Sequence, residues 1–447
     1  MDTLNGRMGN RAETPPGTTE RAFAVLVLLM GSGAFMTFAT TQGQMSNQAG
    51  GMIGLQIFWA LMYLITFTLL LRHCPSFLVH ILEQWPLVAF VGLAVLSTLW
   101  SDNPAITFRR SVALCFTVVF GFYLANRYSL KEQLRLLAWM SGVCIFFSVP
   151  FQLLHVGSPV SDMLGAWYGI FVDKSIFGMA MALSVVIFML RAKAEPNRRW
   201  HMRLGMLSAL VMLLLSRSET PLVTIILMVF LLPLSGILRK KIRTVLKGMT
   251  LAAVGGAGLL FVLFTHWGSF TNALGRGQTM SGRLQLWAFC AVMALQKPWL
   301  GYGYSAFWSG MNGPSYRIIR AFGIPIAHAH NAFLQTWLDL GLLGLALLVL
   351  ILVVYPVRAA LLIRRSRQPE ATWPLMVFAF IFLFMLTDVP IPVGNSLYMM
   401  IFISSAFAVS SPLRQASSER ALRAGVAASR AAIGPRMTPA PETGTPT

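Results

Sequence analysis

Residues 327–350 read AHAHNAFLQTWLDLGLLGLALLVL. A polar opening with two histidines gives way to an apolar run that carries one acid, Asp339, and then no charge until Arg358. Roughly 20 such residues cross a hydrocarbon core of about 30 Å as a helix, the element that satisfies its own backbone hydrogen bonds. Comparable runs recur on both sides of this one. Spans are expected near 22–40, 52–71, 86–100, 110–125, 134–155, 175–191, 202–216, 220–238, 246–265, 332–357, 373–388 and 396–410. The third, fourth and seventh runs are short, leaving room for one re-entrant segment. The first run begins near Arg21 without a small-residue cleavage site and reads as the first membrane helix.

Composition agrees with that pattern. The chain of 447 residues is 56% hydrophobic and only 11% charged, a balance outside the range of soluble folds. Its formal charge of +20 sits in short basic clusters between apolar runs, so membrane topology rather than nucleic acid accounts for most of it. With the N-terminus cytoplasmic, 26 of the 35 Lys and Arg residues fall inside, among them Arg191, Lys193, Arg198, Arg199 and Arg203 in one loop. An even number of spans then puts both termini inside. Cys74, Cys115, Cys144 and Cys290 form no CxxC pair and fall in different segments, so neither a zinc site nor a disulfide framework is indicated.

Nine basic residues escape the topological explanation: Arg109, Arg110, Lys174, Arg217, Arg276, Arg283, Lys297, Arg317 and Arg320. Five of them belong to one long external segment, 266–330, which contains no Asp or Glu. Such a segment is suited to an anion, or is simply a solvated basic loop.

Within LSRSETP, Arg217 lies between two apolar runs, where it either pairs with Glu219 or binds an anion at the external face. The stretch TMSGRLQLWAFCAVMALQKPWLGYGYSAF (279–307) predicts a helix from about Gly282, capped by Thr279 or Ser281 and stopped by Pro298. Leu284, Trp287, Val292 and Leu295 would form its apolar face. Arg283 in the first turn can bind phosphate together with free backbone N–H groups, or snorkel from a membrane-surface anchor. His330 opens the tenth span and is either a general base or a capping histidine. Leu334, Trp337, Gly341 and Gly344 follow at spacings that allow one helical face. A zinc site on His328 and His330 needs a third ligand, for which His266 is the external candidate. TLWSDNPAITFRR (98–110) adds Asp102, Arg109 and Arg110, while Asp339 either pairs with a polar neighbour or lines a substrate path.

The motifs SGRLQLW…KPWLGYGYSAF and HAHNAFLQTWLDLGLLG resemble the shared domain of the O-antigen ligase and polymerase superfamily. LWSDNPAITFRR and LGRGQTMSGRLQLW are similar to its exopolysaccharide-polymerase branch, and the likeness runs over roughly residues 20–410. The resemblance implies an all-α, GT-C-like membrane glycosyltransferase that is inverting and metal-independent, uses no cofactor, and takes a glycan on undecaprenyl pyrophosphate as donor. It implies His330 as the base for the acceptor hydroxyl and Arg217 and Arg283 as pyrophosphate ligands, with Arg276 and Arg110 as further candidates. The pattern departs at Asp173–Ser175, DKS where relatives often have HKN, and at Gly277, where an acid often follows the Gly-Arg pair.

The expected organisation is a cytoplasmic tail at 1–21, nine spans over 22–265, a periplasmic catalytic loop at 266–330, three spans over 331–410 and a disordered cytoplasmic tail at 411–447. The expected activity is polymerisation of lipid-linked repeats into exopolysaccharide or O-antigen at the periplasmic face of the bacterial inner membrane. Transfer to lipid A core by a ligase is the alternative within the family, and a transporter or flippase is the alternative of another class. Implied partners are the lipid-linked donor, a glycan acceptor, the bilayer, a chain-length regulator and a flippase, with no nucleic acid.

Overall fold

A computed structural model of the chain describes residues 15–36, 53–73, 81–154, 165–240, 280–310, 313–323 and 326–410. Among these, regular structure is entirely helical. In chain order the helices are α1 (Thr18–Gly31), α2 (Ile53–His73), α3 (Trp85–Leu96), α4 (Pro104–Arg127), α5 (Leu130–Leu153), α6 (Lys174–Ala194) and α7 (Arg199–Leu215). They continue with α8 (Glu219–Ile237), α9 (Met280–Gln296), α10 (Tyr316–Phe322), α11 (Ala332–Arg365), α12 (Trp373–Met385) and α13 (Leu397–Ser410).

Polar residues between the apolar runs start these helices by taking up backbone N–H groups that have no intrahelical partner. Asn103 accepts from Ile106 N at 3.3 Å, and Pro104 follows at the first helical position. Ser129 and Glu132 form a reciprocal capping box on α5. Asp173 accepts from Ser175 N at 2.6 Å and Ile176 N at 3.0 Å to start α6. Asn331 accepts from Phe333 N and Leu334 N, both at 3.0 Å, to start α11.

The core is centred on α6, whose Ala, Ser, Met and Gly residues let α5, α7 and α8 approach closely. Ser184 Oγ donates to Ser141 Oγ at 2.9 Å across the α5–α6 contact. At the opposite end of the bundle from the histidines, Glu20 accepts from Arg127 at 2.7 and 3.0 Å, and Glu195 pairs with Arg135 and Arg191. The outer surface is apolar instead. Leu61 and Leu64 on α2, Leu204 and Leu207 on α7, and Val353 and Val357 on α11 are exposed, as expected of lipid-facing side chains.

Among the described residues five helices, α2, α4, α5, α6 and α11, are long and apolar enough to cross a membrane, and α3, α8, α12 and α13 belong to shorter apolar helices. The protein is therefore multi-pass. The span expected at 246–265, the tail at 411–447 and the first part of the loop at 266–330 lie outside the described residues. α4 is a full 24-residue helix rather than a short run, because its capped start at Pro104 precedes the apolar stretch. α1 stops at Gly31 rather than near 40, where the chain turns through Gly33 and Phe35 with positive φ.

Two expectations need correction. α9 begins at Met280 rather than about Gly282, so Ser281 is inside the helix and is not its cap, while Thr279, the other expected cap, lies outside the described residues. Its buried face is Leu286, Cys290, Met293 and Ala294, whereas Leu284, Val292 and Leu295 point outward. A helix apolar on nearly all sides has an ambiguous period, and the loop packed against it selected the other face. α11 is broken at Gly341 (φ 66°, ψ −166°), so Gly344 does not continue the face of Leu334 and Trp337.

Candidate functional site

The break in α11 is filled by backbone from the segment after α9. Tyr302 N donates to Leu338 O at 2.8 Å and Gly303 N to Asp339 O at 3.0 Å. In return Leu342 N donates to Pro298 O at 2.8 Å and Leu343 N to Trp299 O at 3.4 Å. The groups freed by the break thus find partners in KPWLGYG, which matters because an unpaired backbone group is expensive in a membrane protein. The approach requires glycine: a Cβ on Gly301 would lie 2.6 Å from Leu338 O, and Gly341 has φ and ψ that side chains avoid. The two sequence motifs are one interlocked structure. TLWSDNP joins it through Trp100 Nε1 to Leu300 O at 3.0 Å, Asp102 N to Tyr302 O at 3.0 Å, and an Asp102–Lys297 ion pair.

This scaffold holds the histidine loop. Trp287 Nε1 on α9 donates to Ala329 O at 3.1 Å. Gln335 Oε1 accepts from Ala329 N at 3.0 Å and Trp308 Nε1 at 2.8 Å, while Gln335 Nε2 donates to Asp339 Oδ2 at 3.0 Å. Asp339 is buried, and the Ser305 N–H faces its carboxylate. The residue between the two histidines is therefore tied on both its N–H and its C=O. His330 itself has φ 49°, an uncommon value for a non-glycine residue.

The His328 and His330 rings stand 4.1 Å apart, and His328 Nδ1 lies 3.8 Å from Asp388 Oδ1. Burial, the neighbouring His328 and the positive charge of Arg283 push His330 well below its ordinary value of 6.5, and Asp388 opposes them. Its imidazole is neutral near pH 7. Asp173, the α6 cap, lies within electrostatic reach of both Asp388 and His328, and burial raises its pKa. The DKS departure therefore falls beside the histidines.

Arg283, half-buried on the first turn of α9, acts electrostatically on His330 and on Glu219 at the start of α8. Arg217 is exposed two residues before Glu219, in a turn with φ 48°. The elements carrying Arg217, Arg283 and His330 thus meet at one end of the bundle. Arg110 lies elsewhere: its Nη1 donates to Ser305 O at 3.1 Å, and Tyr304, Asp339 and Arg109 are its electrostatic neighbours. Arg276 lies outside the described residues.

His328, His330 and Asp388 bring three donor atoms within 4.8 Å of one another, so the third partner of the histidine pair is Asp388, while His266 lies outside the described residues. The same group feels both the Asp388 carboxylate and, more weakly, the positive charge of Arg283. Gln335 and the indole N–H groups of Trp287 and Trp308 escaped the sequence reading. The available signal was a lone Gln in an apolar helix, where an amide needs a partner.

A multi-pass helical protein with a cationic, histidine-bearing site next to a broken helix is the class that these features define. The O-antigen ligase family model matches residues 204–349, the stretch that carries Arg217, Arg283, His330 and the Gly341 break. The chain is also 25% identical over 370 residues to the exopolysaccharide production protein ExoQ of Rhizobium meliloti (strain 1021), covering 78% of this chain and 81% of that protein. The chain is thus similar to the O-antigen ligase family over residues 204–349 and to an exopolysaccharide production protein over most of its length.

Proposed function

We propose that the protein is an inverting, metal-independent glycosyltransferase that joins undecaprenyl-pyrophosphate-linked repeats into exopolysaccharide or O-antigen. The observation that carries this reading is a neutral, half-buried His330, beside His328 and Asp388 and within the field of Arg283. His330 accepts the proton of the acceptor hydroxyl as that oxygen forms its bond to the anomeric carbon. The bond from that carbon to the diphosphate oxygen breaks with inversion, and Arg283 and Arg217 stabilise the charge on the departing diphosphate. Cations supplied by arginine remove the need for a metal.

In this reading the chain spans the bacterial inner membrane twelve times, with both termini cytoplasmic and residues 266–330 periplasmic. A chain-length regulator and a flippase are its partners. Similarity to an exopolysaccharide production protein supports a polymerase, and the match to the O-antigen ligase model keeps transfer to lipid A core as the second reading. A transporter is disfavoured because the gap at Gly341 is occupied by the protein's own backbone. Purified protein is to be incubated with a defined undecaprenyl-pyrophosphate oligosaccharide, with and without lipid A core. Elongated lipid-linked glycan is expected; product on lipid A core alone would establish the ligase instead.

A further inference from the structure

A cavity of about 1140 Å³ lies between α1, α2, α4 and α6 and is also lined by Tyr304, Ser305 and the chain leading into α13. Most of its wall is apolar, including Trp59, Ala60 and Leu64 on α2, yet Arg109 and Arg110 both line it. None of Arg217, Arg283, His328, His330 or Asp388 does. The protein therefore presents two separate arginine groups near the histidine scaffold, and the reaction leaves the second without a role.

We propose that this cavity holds the isoprenoid tail of the lipid-linked acceptor, with the acceptor's diphosphate at Arg109 and Arg110. The assignment rests on the polymerase reading, in which both substrates are carried on polyprenyl diphosphate and two anionic lipid sites are needed at once. An apolar chamber next to paired guanidinium groups matches such a lipid in charge and in shape. Its aromatic wall is tied together: Tyr63 stacks on Phe116 at 4.4 Å, and the Tyr63 hydroxyl donates to Asn395 Oδ1. The arginine end is also connected to the base. Arg110 donates to Ser305 O, the Ser305 N–H faces the Asp339 carboxylate, and Asp339 accepts from the Gln335 that fixes Ala329. This relay of contacts links the arginine end of the cavity to the loop that carries His330.

The test uses the full chain in nanodiscs with a polyprenyl diphosphate bearing a diazirine at its tail end, and peptide mapping of the adducts. Labelling is expected on α2 and α4, to be reduced roughly tenfold, equivalent to about 1.4 kcal/mol, by Ala60→Trp, and to persist in Arg283→Ala. Leu207→Trp on the outer face of α7 controls for added bulk and is expected to label normally. Competition by excess phosphatidylglycerol would make the cavity an ordinary lipid site and overturn the proposal. Loss of cavity labelling in Arg283→Ala but not in Ala60→Trp would make it part of the donor site, with the same result. Elongation is measured in parallel: normal elongation without cavity labelling sinks the cavity alone. Cavity labelling without any elongated product from wild type sinks the polymerase reading and the acceptor role with it.

Discussion

His330 occupies a backbone region that costs a non-glycine residue on the order of 1–3 kcal/mol, and neighbouring contacts hold it there. Asn331 caps the helix immediately after it, and Ala329 is held by Trp287 and Gln335. His330→Ala is expected to lower transfer by about 10²- to 10⁴-fold while donor binding persists, with His328→Ala much milder. Rates and donor affinities on the same purified variants decide this. Because its pKa is lowered, the neutral base survives as pH falls through 6.5, so transfer should decline only in more acidic solution. Asp388 favours the protonated form, and Asp388→Asn should move that limb further to the acid side. A kcat/KM profile with its acid limb at or above 6.5 would exclude this description. Gln335→Leu leaves Trp308 Nε1, Ala329 N and an Asp339 oxygen without their partner, at about 1–3 kcal/mol for each unsatisfied group. Its thermal midpoint and its transfer rate should both fall, with donor affinity retained.

At the scale of elements, the decisive feature is the insertion of KPWLGYG into the break in α11. Gly341→Ala puts a side chain where φ is 66° and ψ −166° and where Trp299 lies in contact. A loss of at least about 1–3 kcal/mol is expected, read as increased protease cleavage near residue 300 in membranes. Unchanged resistance would show that the helix re-forms without the loop. Two helix starts were readable beforehand from hydropathy, α6 and α11, whereas the caps Asn103 and Ser129 begin α4 and α5 ahead of their apolar runs at 110 and 134. The facing of α9 was not readable, since a helix with apolar residues on both sides turns whichever face its tertiary neighbours accept.

For the whole molecule, the charge asymmetry along the chain and the exposed apolar belt support one orientation. A unique cysteine at Ser309, in a background without the native cysteines, should react with a membrane-impermeant thiol reagent before the inner membrane is opened. Modification only after lysis would reverse the topology. The apolar runs, and the choice of Arg217, Arg283 and His330 as polar residues that hydropathy leaves unexplained, follow from the sequence, because hydropathy and charge act over a few residues or relative to the bilayer. Tertiary structure alone decided the rest. Asp388 and Asp173 approach the histidines, Arg110 turns toward Ser305 and a cavity, and Gly341 interrupts what hydropathy reads as one helix. Each depends on partners far along the chain, whose proximity is set by how the helices pack and not by any local preference.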